Sequence, residues 1–253
     1  MKKSYNDEAF GQALLDCYEE KGSGVHFVER DDNILDEQDT SVYFAEDVTF
    51  GFKHGMHPIE EYLIDNHISG SILDIGCGAG RHSLYLQNEG FEIVGIDSSA
   101  LAVEVCQRQG LQKCFPFGID DVTKLLPNKY DTVLMLGHNF GLFGNAKKMP
   151  ILLSKIVRIT NKNAKILATL ADPYQTDNPL HLEYHSFNLA RGHMSGQLRI
   201  RVRYERLISA WFDYLFVSPK EAEVLVAGTD WHIDDILYDN EHKSYAIVLA
   251  KKS

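Results

Sequence analysis

Leu73-Asp74-Ile75-Gly76-Cys77-Gly78-Ala79-Gly80-Arg81 is the stretch that decides how this chain folds. The apolar run 71–75 reads as a short buried strand, and residues 80–88 continue as a helix, so three closely spaced glycines join strand to helix. That junction is where open α/β sheets bind their ligands. Glycines at 76, 78 and 80 put no side chain between backbone and ligand, and they accept positive φ in a tight turn. Backbone N–H groups at the start of the following helix are then free to meet negative charge or hydrogen-bond acceptors.

Working outward, the same alternation repeats. FEIVGID (91–97) is a second strand, and the helix 98–109 closes at Gly110. LQKCFPF (111–117) is a third strand weakened by Pro116, and KYDTVLML (129–136) is a fourth, followed by a loop and a helix over 146–160. KILATLA (165–171) is a fifth. Strands alternating with helices at this spacing predict βαβ units and a doubly wound, mostly parallel sheet buried on both faces. After Asp172 the rhythm changes. Residues 173–195 read as irregular, and QLRIRVRYERL (197–207) and ISAWFDYLFV (208–217) alternate as antiparallel strands do. Ser218-Pro219-Lys220-Glu221 is a capping box that starts a helix reaching about residue 227, and 229–239 with 243–252 predict a closing antiparallel hairpin.

Ahead of the glycine turn, residues 6–20 read as a helix with Phe10, Ala13, Leu14 and Cys17 at helical spacing. The acidic stretch 22–44 has weak periodicity and reads as an irregular segment, a lid or binding loop or else disordered. Pro58 belongs in the first turn of a short helix over 58–66. The expected organisation is an N-terminal helix and lid over 1–56 and a main α/β domain over 57–253, with a substrate-binding antiparallel β insert at about 173–217.

The chain has 253 residues, 44% hydrophobic and 24% charged, enough for a sizeable core. No apolar run approaches the ~18–20 residues that span a bilayer, and the two N-terminal lysines precede no apolar signal segment. Twenty-five basic against 36 acidic residues give a net charge of −11, which repels phosphate backbones and argues against nucleic acid as the main partner. The four cysteines, at 17, 77, 106 and 114, form no CxxC pair and read as reduced thiols of a cytoplasmic protein.

Dinucleotide sites require GxGxxG, whose third glycine would fall at 81, where this chain has Arg81. The pattern is instead an acid two positions before the first glycine, then GxGxG. It is joined by Asp97 at the end of the second strand, the Asp120–Asp121 pair after the third, and the C-terminal hairpin. This combination resembles motif I and the surrounding frame of the class I S-adenosylmethionine-dependent methyltransferases, over about residues 71–171 and again in the last two strands. The resemblance implies a Rossmann-like fold that takes S-adenosylmethionine and releases S-adenosylhomocysteine. It places Asp74 on the methionine amino group, and the loop of Gly76, Cys77, Gly78 and Gly80 along the methionyl part. Asp97, with Ser98 beside it, falls on the ribose hydroxyls, Asp120 or Asp121 on the adenine amino group, and Leu136 and Gly137 beside the methyl group. Asp97 alone does not separate this cofactor from a nicotinamide, since those enzymes place an acid at the same distance. The amino-methylating nucleic-acid branch carries N/D-P-P-Y/F/W after the fourth strand; His138-Asn139-Phe140-Gly141 stands there instead.

His138 is the candidate general base or substrate contact, set against a loop histidine that is merely hydrogen-bonded. Asn139, Tyr43, Tyr174, His181, Tyr184 and His185 are candidate substrate contacts. His181 and His185 have i, i+4 spacing, but Glu183 does not follow the first histidine as HExxH requires, so no metal is assigned there or at His54 and His57. Arg199, Arg201 and Arg203 share one strand face, as an anionic-substrate or homo-oligomer contact or as a solvated face with cross-strand acids. The expected activity is methyl transfer to a small molecule; an NAD(P)-dependent oxidoreductase and an RNA methyltransferase are the alternatives.

Overall fold

A computed structural model describes residues 8–44, 55–239 and 243–252. The first half runs α1 (Ala9–Tyr18), β1 (Val25–Arg30), β2 (Leu35–Asp39), α2 (Pro58–His67), β3 (Ile72–Ile75), α3 (Arg81–Asn88), β4 (Ile93–Ile96) and α4 (Ala100–Arg108). It continues through β5 (Cys114–Phe115), β6 (Tyr130–Met135), α5 (Met149–Arg158), β7 (Thr160–Ala171) and α6 (Pro179–Ala190). The chain closes with β8 (Gln197–Tyr204), β9 (Leu207–Ile208), β10 (Phe212–Leu215), α7 (Pro219–Ala227), β11 (Trp231–Asp239) and β12 (Ser244–Lys251).

Seven strands form the main sheet in the order β11-β12-β7-β6-β3-β4-β5. The pairs β6–β7, β3–β6, β3–β4 and β4–β5 are parallel, and β12 runs antiparallel to both β7 and β11. From β3 the chain builds outward through β4 to β5, then returns to lay β6 on the other side of β3. That reversal opens the ligand crevice at the carboxyl ends of β3 and β6. Period-two alternation explains why these strands are apolar throughout. Leu73, Ile75, Val133 and Met135 face a core shared with α5 and α7, while Ile72, Leu134 and Leu167 face one shared with α2, α3 and α4. The Ser218 capping box is present as read: its hydroxyl accepts from Glu221 N–H, and Glu221 accepts from Ser218 N–H at 2.8 Å.

A second, antiparallel sheet has the order β10-β8-β1-β2, with β9 on β8. This corrects the reading of residues 22–44 as irregular. They form the β1–β2 hairpin, and β1 pairs with β8 from the far half of the chain, Val28 opposite Val202. The alternation was hidden because β1 buries His26, Glu29 and Arg30, and the edge strand β2 (LDEQD) carries one apolar residue, exposed Leu35. A second correction concerns residues 173–195, which contain α6. Its N-cap Asn178 side chain accepts from Leu180 N–H at 3.0 Å. It buries only Tyr184 and Asn188 and exposes Leu180, Leu182, Phe187 and Leu189, so its apolar residues mark no core face. Helix α1 packs Ala9 and Ala13 on Val202 and Tyr204 of β8, and Leu14 on Ala79 and Ala102. The expected helix start at residue 6, and His54, lie outside the described residues.

The arginine row belongs to this second sheet and is internally matched. Glu29 of β1 accepts from Arg201 Nε at 2.5 Å and Nη2 at 3.0 Å, and from Arg203 through both Nε and Nη2; Arg199 meets Asp213 of β10 at 3.1 Å. The two guanidinium groups hold the Glu29 carboxyl down at about 2. A depressed acid stabilises the fold above its unfolded value, near 4.5, and that contribution disappears as pH falls toward 2. Glu29→Gln is expected to cost about 2–4 kcal/mol at pH 7, with the difference from wild type vanishing in acid, as read by urea unfolding across pH.

Candidate active site

A cavity of about 1080 Å³ lies between the two sheets. One wall is built from the carboxyl ends of the parallel strands: Ile75 to Gly78 after β3, Asp97 to Ser99 after β4, Phe117 to Asp120 after β5, and Leu136 to Asn139 after β6. The opposite wall comes from the second sheet, with His26, Val28 and Arg30 of β1, Leu198 to Ile200 of β8 and Phe212 to Tyr214 around β10. The volume is at the upper end for small-molecule pockets, enough for two ligands side by side.

Gly76, Gly78 and Gly80 have φ of 78°, 55° and 95°, the left-handed conformations expected of this turn. At Gly76 glycine is required twice over, since a Cβ there would lie 2.7 Å from Asn139 Nδ2. That amide donates to the carbonyls of Ile75 at 3.1 Å and Gly76 at 2.8 Å, so Asn139 clamps the loop. On the other side Asp97 holds it. Gly78 N–H donates to Asp97 Oδ2 at 3.1 Å and Ser99 N–H to Oδ1 at 2.9 Å. Asp97 is only 8% exposed, and burial raises its carboxyl to about 6 against the opposing effect of the Ser99 and Gly78 amides. A carboxylate offers about four lone-pair sites, so two remain for a ligand's hydroxyl groups.

Glu60 of α2 is a feature the sequence reading missed. It is 3% exposed and gathers donors from four elements. Oε1 accepts from Gly137 N–H at 2.6 Å and Thr169 Oγ1 at 3.3 Å; Oε2 accepts from His82 Nε2 at 3.1 Å, His57 N–H at 3.3 Å and Arg81 Nη2 at 3.4 Å. Burial opposes ionisation, but His82, Arg81 and the Gly137 amide together hold this carboxyl far below the usual range. Arg81 also donates to the carbonyls of Val42 at 2.8 Å and Gly55 at 3.1 Å, and it reaches the cavity wall. A short, acid-rich first turn, Glu60-Glu61 after Pro58, was the only sequence signal for this hub.

The expected site residues divide between wall and interior. Gly76, Cys77, Gly78, Asp97, Ser98, Asp120, Leu136, Gly137, His138, Asn139, Tyr43, His181, Tyr184 and His185 all line the cavity. Asp74, Gly80, Asp121 and Tyr174 do not. Asp74 is 1% exposed and accepts from Ser83 Oγ at 2.7 Å beneath the loop, because the strand's pleat turns it inward. Asp121 pairs outward with Lys124 at 3.0 Å, and Tyr174 donates outward to Glu221 at 2.9 Å. Asp120 is paired with Lys148 at 2.8 Å. His138 has φ of 63°; its N–H donates to Thr169 Oγ1 at 3.0 Å and its carbonyl accepts from Tyr214 Oη at 2.7 Å. Burial pushes its imidazole pKa down, leaving it neutral at pH 7. On α6, His181 Nδ1 lies 3.0 Å from Thr176 Oγ1 and His185 stands edge-on to Tyr174. Tyr184 donates to Asp31 at 2.5 Å beneath the Arg30 guanidinium.

Residues 72–163 match the family model described as "Methyltransferase domain". The main-sheet order, the reversed last strand and the glycine loop are those of that family's Rossmann-like fold. Over those residues the chain carries a methyltransferase domain, set in a Rossmann-like methyltransferase fold. The chain is similar to a Bacteroides fragilis S-adenosylmethionine-dependent methyltransferase crystallised with S-adenosylhomocysteine: 22% identity, TM-score 0.81, with 99% of this chain and 97% of that one covered. A Methanosarcina mazei S-adenosylmethionine-dependent methyltransferase shares the fold over 78% of this chain and 98% of its own, at TM-score 0.59 and 18% identity. A ubiquinone biosynthesis O-methyltransferase of Chromobacterium violaceum is 26% identical over 99 residues, 36% of this chain and 43% of the relative. A tRNA U34 carboxymethyltransferase of Psychromonas ingrahamii is 33% identical over 105 residues, 33% of this chain and 31% of the relative. The chain thus spans less than half the length of either curated relative. These comparisons lend no support to a nicotinamide-dependent oxidoreductase.

Removing the Glu60 carboxylate strands His82, Arg81 and three other donors. Glu60→Ala is expected to lower stability by about 3–5 kcal/mol at pH 7. Because the native carboxyl is depressed, its contribution holds above the unfolded value of 4.5 and fades as pH falls below it. Urea unfolding at pH 7 and pH 3 checks both the size and the sign.

Proposed function

We propose that this chain transfers a methyl group from S-adenosylmethionine to a small-molecule acceptor held between the two sheets. The observation that supports it most is Asp97, a cavity-facing acid tied to the glycine loop and left with acceptor sites that no residue among those described fills. The residues present fit this cofactor. Asp97 takes the ribose hydroxyls, and the side-chain-free turn at Gly76 and Gly78 leaves room for the methionyl chain. Of the acidic pair, Asp120 is the one on the wall and serves the adenine end. Arg81, a cation beside Gly137, is placed for the methionine carboxylate; Asp74, buried beneath the loop, supports the turn through Ser83.

When bound, S-adenosylmethionine supplies an activated methyl group on a sulfonium, and the protein's part is alignment. Holding an acceptor in line contributes several kcal/mol, up to ~7–11 in ideal cases. His138, neutral and fixed at both ends of its peptide unit, takes the proton from an acceptor hydroxyl or ammonium group. Tyr214 reaches the His138 carbonyl because Gly141 has no side chain; a Cβ there would fall 2.0 Å from the Tyr214 ring.

The acceptor side is formed by the second sheet and α6, where His181, Tyr184 and His185 line the cavity and Tyr43 approaches the glycine loop. Residues of the N-terminal segment therefore act as a cover over the site. An RNA acceptor is the weaker reading. Its electrostatic footprint would be the arginine row, and Arg199, Arg201 and Arg203 are already matched by Asp213 and Glu29. No helix among the described residues is long and apolar enough to cross a membrane.

Calorimetry should show S-adenosylmethionine or S-adenosylhomocysteine binding one-to-one and NADH not binding. Asp97→Ala is expected to weaken that binding about 100-fold, the loss of two charge-assisted hydrogen bonds. Since the carboxyl titrates near 6, wild-type affinity should decline as pH drops below 6, and the variant should show no such decline. Equal affinity in wild type and variant would refute the site. His138→Ala is expected to lower kcat by about 10²–10⁴ while leaving cofactor affinity intact, as read by single-turnover kinetics with an acceptor found in a metabolite panel.

A further inference from the structure

Three thiols meet behind the glycine loop, packed in the core, and the proposed transfer makes no use of their sulfur chemistry. Cys77 sits in the loop itself, Cys106 on α4 and Cys114 at the start of β5. The Cys77 sulfur lies 3.9 Å from that of Cys106 and 3.7 Å from that of Cys114, and all three sulfurs fall within 4.8 Å of one another. Each side chain is buried, and none is in a disulfide. In the sequence they looked scattered, because only the folded sheet brings the end of β3, the start of β5 and the face of α4 together. Gly95 of β4 makes room for them: a Cβ there would sit 3.1 Å from the Cys77 sulfur.

The spacing matches a coordination shell. Thiolates bound to one zinc-like ion at ~2.3 Å stand ~3.8 Å apart in a tetrahedron and ~4.0 Å apart in a trigonal plane. Soft sulfur ligands without competing oxygen donors select soft cations over magnesium or calcium. A divalent ion suits a buried place better than a monovalent one, since three thiolates then leave one net negative charge instead of two.

We propose that Cys77, Cys106 and Cys114 bind one divalent zinc-group cation through three thiolates, with water from the cavity as the fourth ligand. The step is an exchange with no change of oxidation state: three S–H bonds break, three metal–sulfur bonds form, and three protons leave to solvent. Entry is through the cavity that Cys77 lines. Cys106 now donates to the Gly78 carbonyl at 3.1 Å, so metal binding replaces that hydrogen bond and fixes Cys77 between the two glycines that carry the loop. The ion therefore stiffens the loop whose Gly78 amide is bound to Asp97. This site stands independently of the acceptor and of methyl transfer.

The test is titration of the fully reduced chain with cadmium, and X-ray absorption of its one-to-one zinc complex. Expected are saturation at one cadmium per chain, a thiolate-to-metal charge-transfer band, release of about three protons per ion and three sulfurs at ~2.3 Å around zinc. Cys17→Ser, on α1 away from the cluster, should keep all four signals, whereas Cys106→Ser and Cys114→Ser should each lose the three-sulfur signature. No band at equimolar cadmium, or fewer than three sulfurs around zinc in the intact chain, overturns the proposal. The absorption measurement needs no variant, so it decides the matter even where a serine substitution disturbs folding.

Discussion

The two-sided grip on the turn at residues 76–78 is the constraint on which the site depends. Asn139 draws in the carbonyls of Ile75 and Gly76, and Asp97 draws in the amide of Gly78. The strands after which these two residues lie, β6 and β4, flank β3 on either side. A left-handed run of backbone is costly for most residues, and here glycine removes that cost while neighbouring strands supply the hydrogen bonds that fix the shape. The crevice at the strand reversal and the position of Asp97 both follow from this arrangement. No strand of the second sheet pairs with the main one; it meets this arrangement through side chains such as Tyr214, which donates to the His138 carbonyl next to Asn139.

The parallel half was legible because its strands are buried on both faces and so carry unbroken apolar runs between glycine and aspartate punctuation. β3, β4, β6 and β12 were all visible in that way. The second sheet was not, for a definite physical reason. Its N-terminal hairpin buries charge in place of hydrocarbon: Glu29 is matched by Arg201 and Arg203, and Arg30 by Asp32 and the Tyr184 ring. A periodicity argument counts apolar residues and is blind to a strand that buries an acid on one face and a guanidinium on the other. Pairing between β1 and β8 also joins residues about 170 apart in sequence, which no local pattern encodes.

Cavity-wall residues were legible for a related reason. They sit at strand ends, and strand ends were found. Asp74 differs from them: its alternation turns it into the interior, where Ser83 meets it. Glu60 was invisible because its partners lie on α3, after β6 and on β7, three places brought together only by the sheet. Arg81 was seen only negatively, as the residue that breaks a dinucleotide fingerprint. In the folded chain it is a cation on the cavity wall, held by Val42, Gly55 and Glu60.

Glu60 and Asp97 differ sharply in their electrostatics. Both are buried carboxyls within reach of the same loop, yet their pKa values move in opposite directions. Glu60 has its charge compensated inside the chain by His82, Arg81 and backbone amides, so ionisation there holds the fold together. Asp97 receives two amides and no cation; burial raises it, and its ionised form is left short of donors. An acid whose desolvation is not offset by its own protein gains most from a partner that brings hydroxyl groups, and it gains only when that partner arrives. A buried acid in a crevice that its own protein leaves under-compensated is therefore a better candidate for ligand contact than the better-connected one.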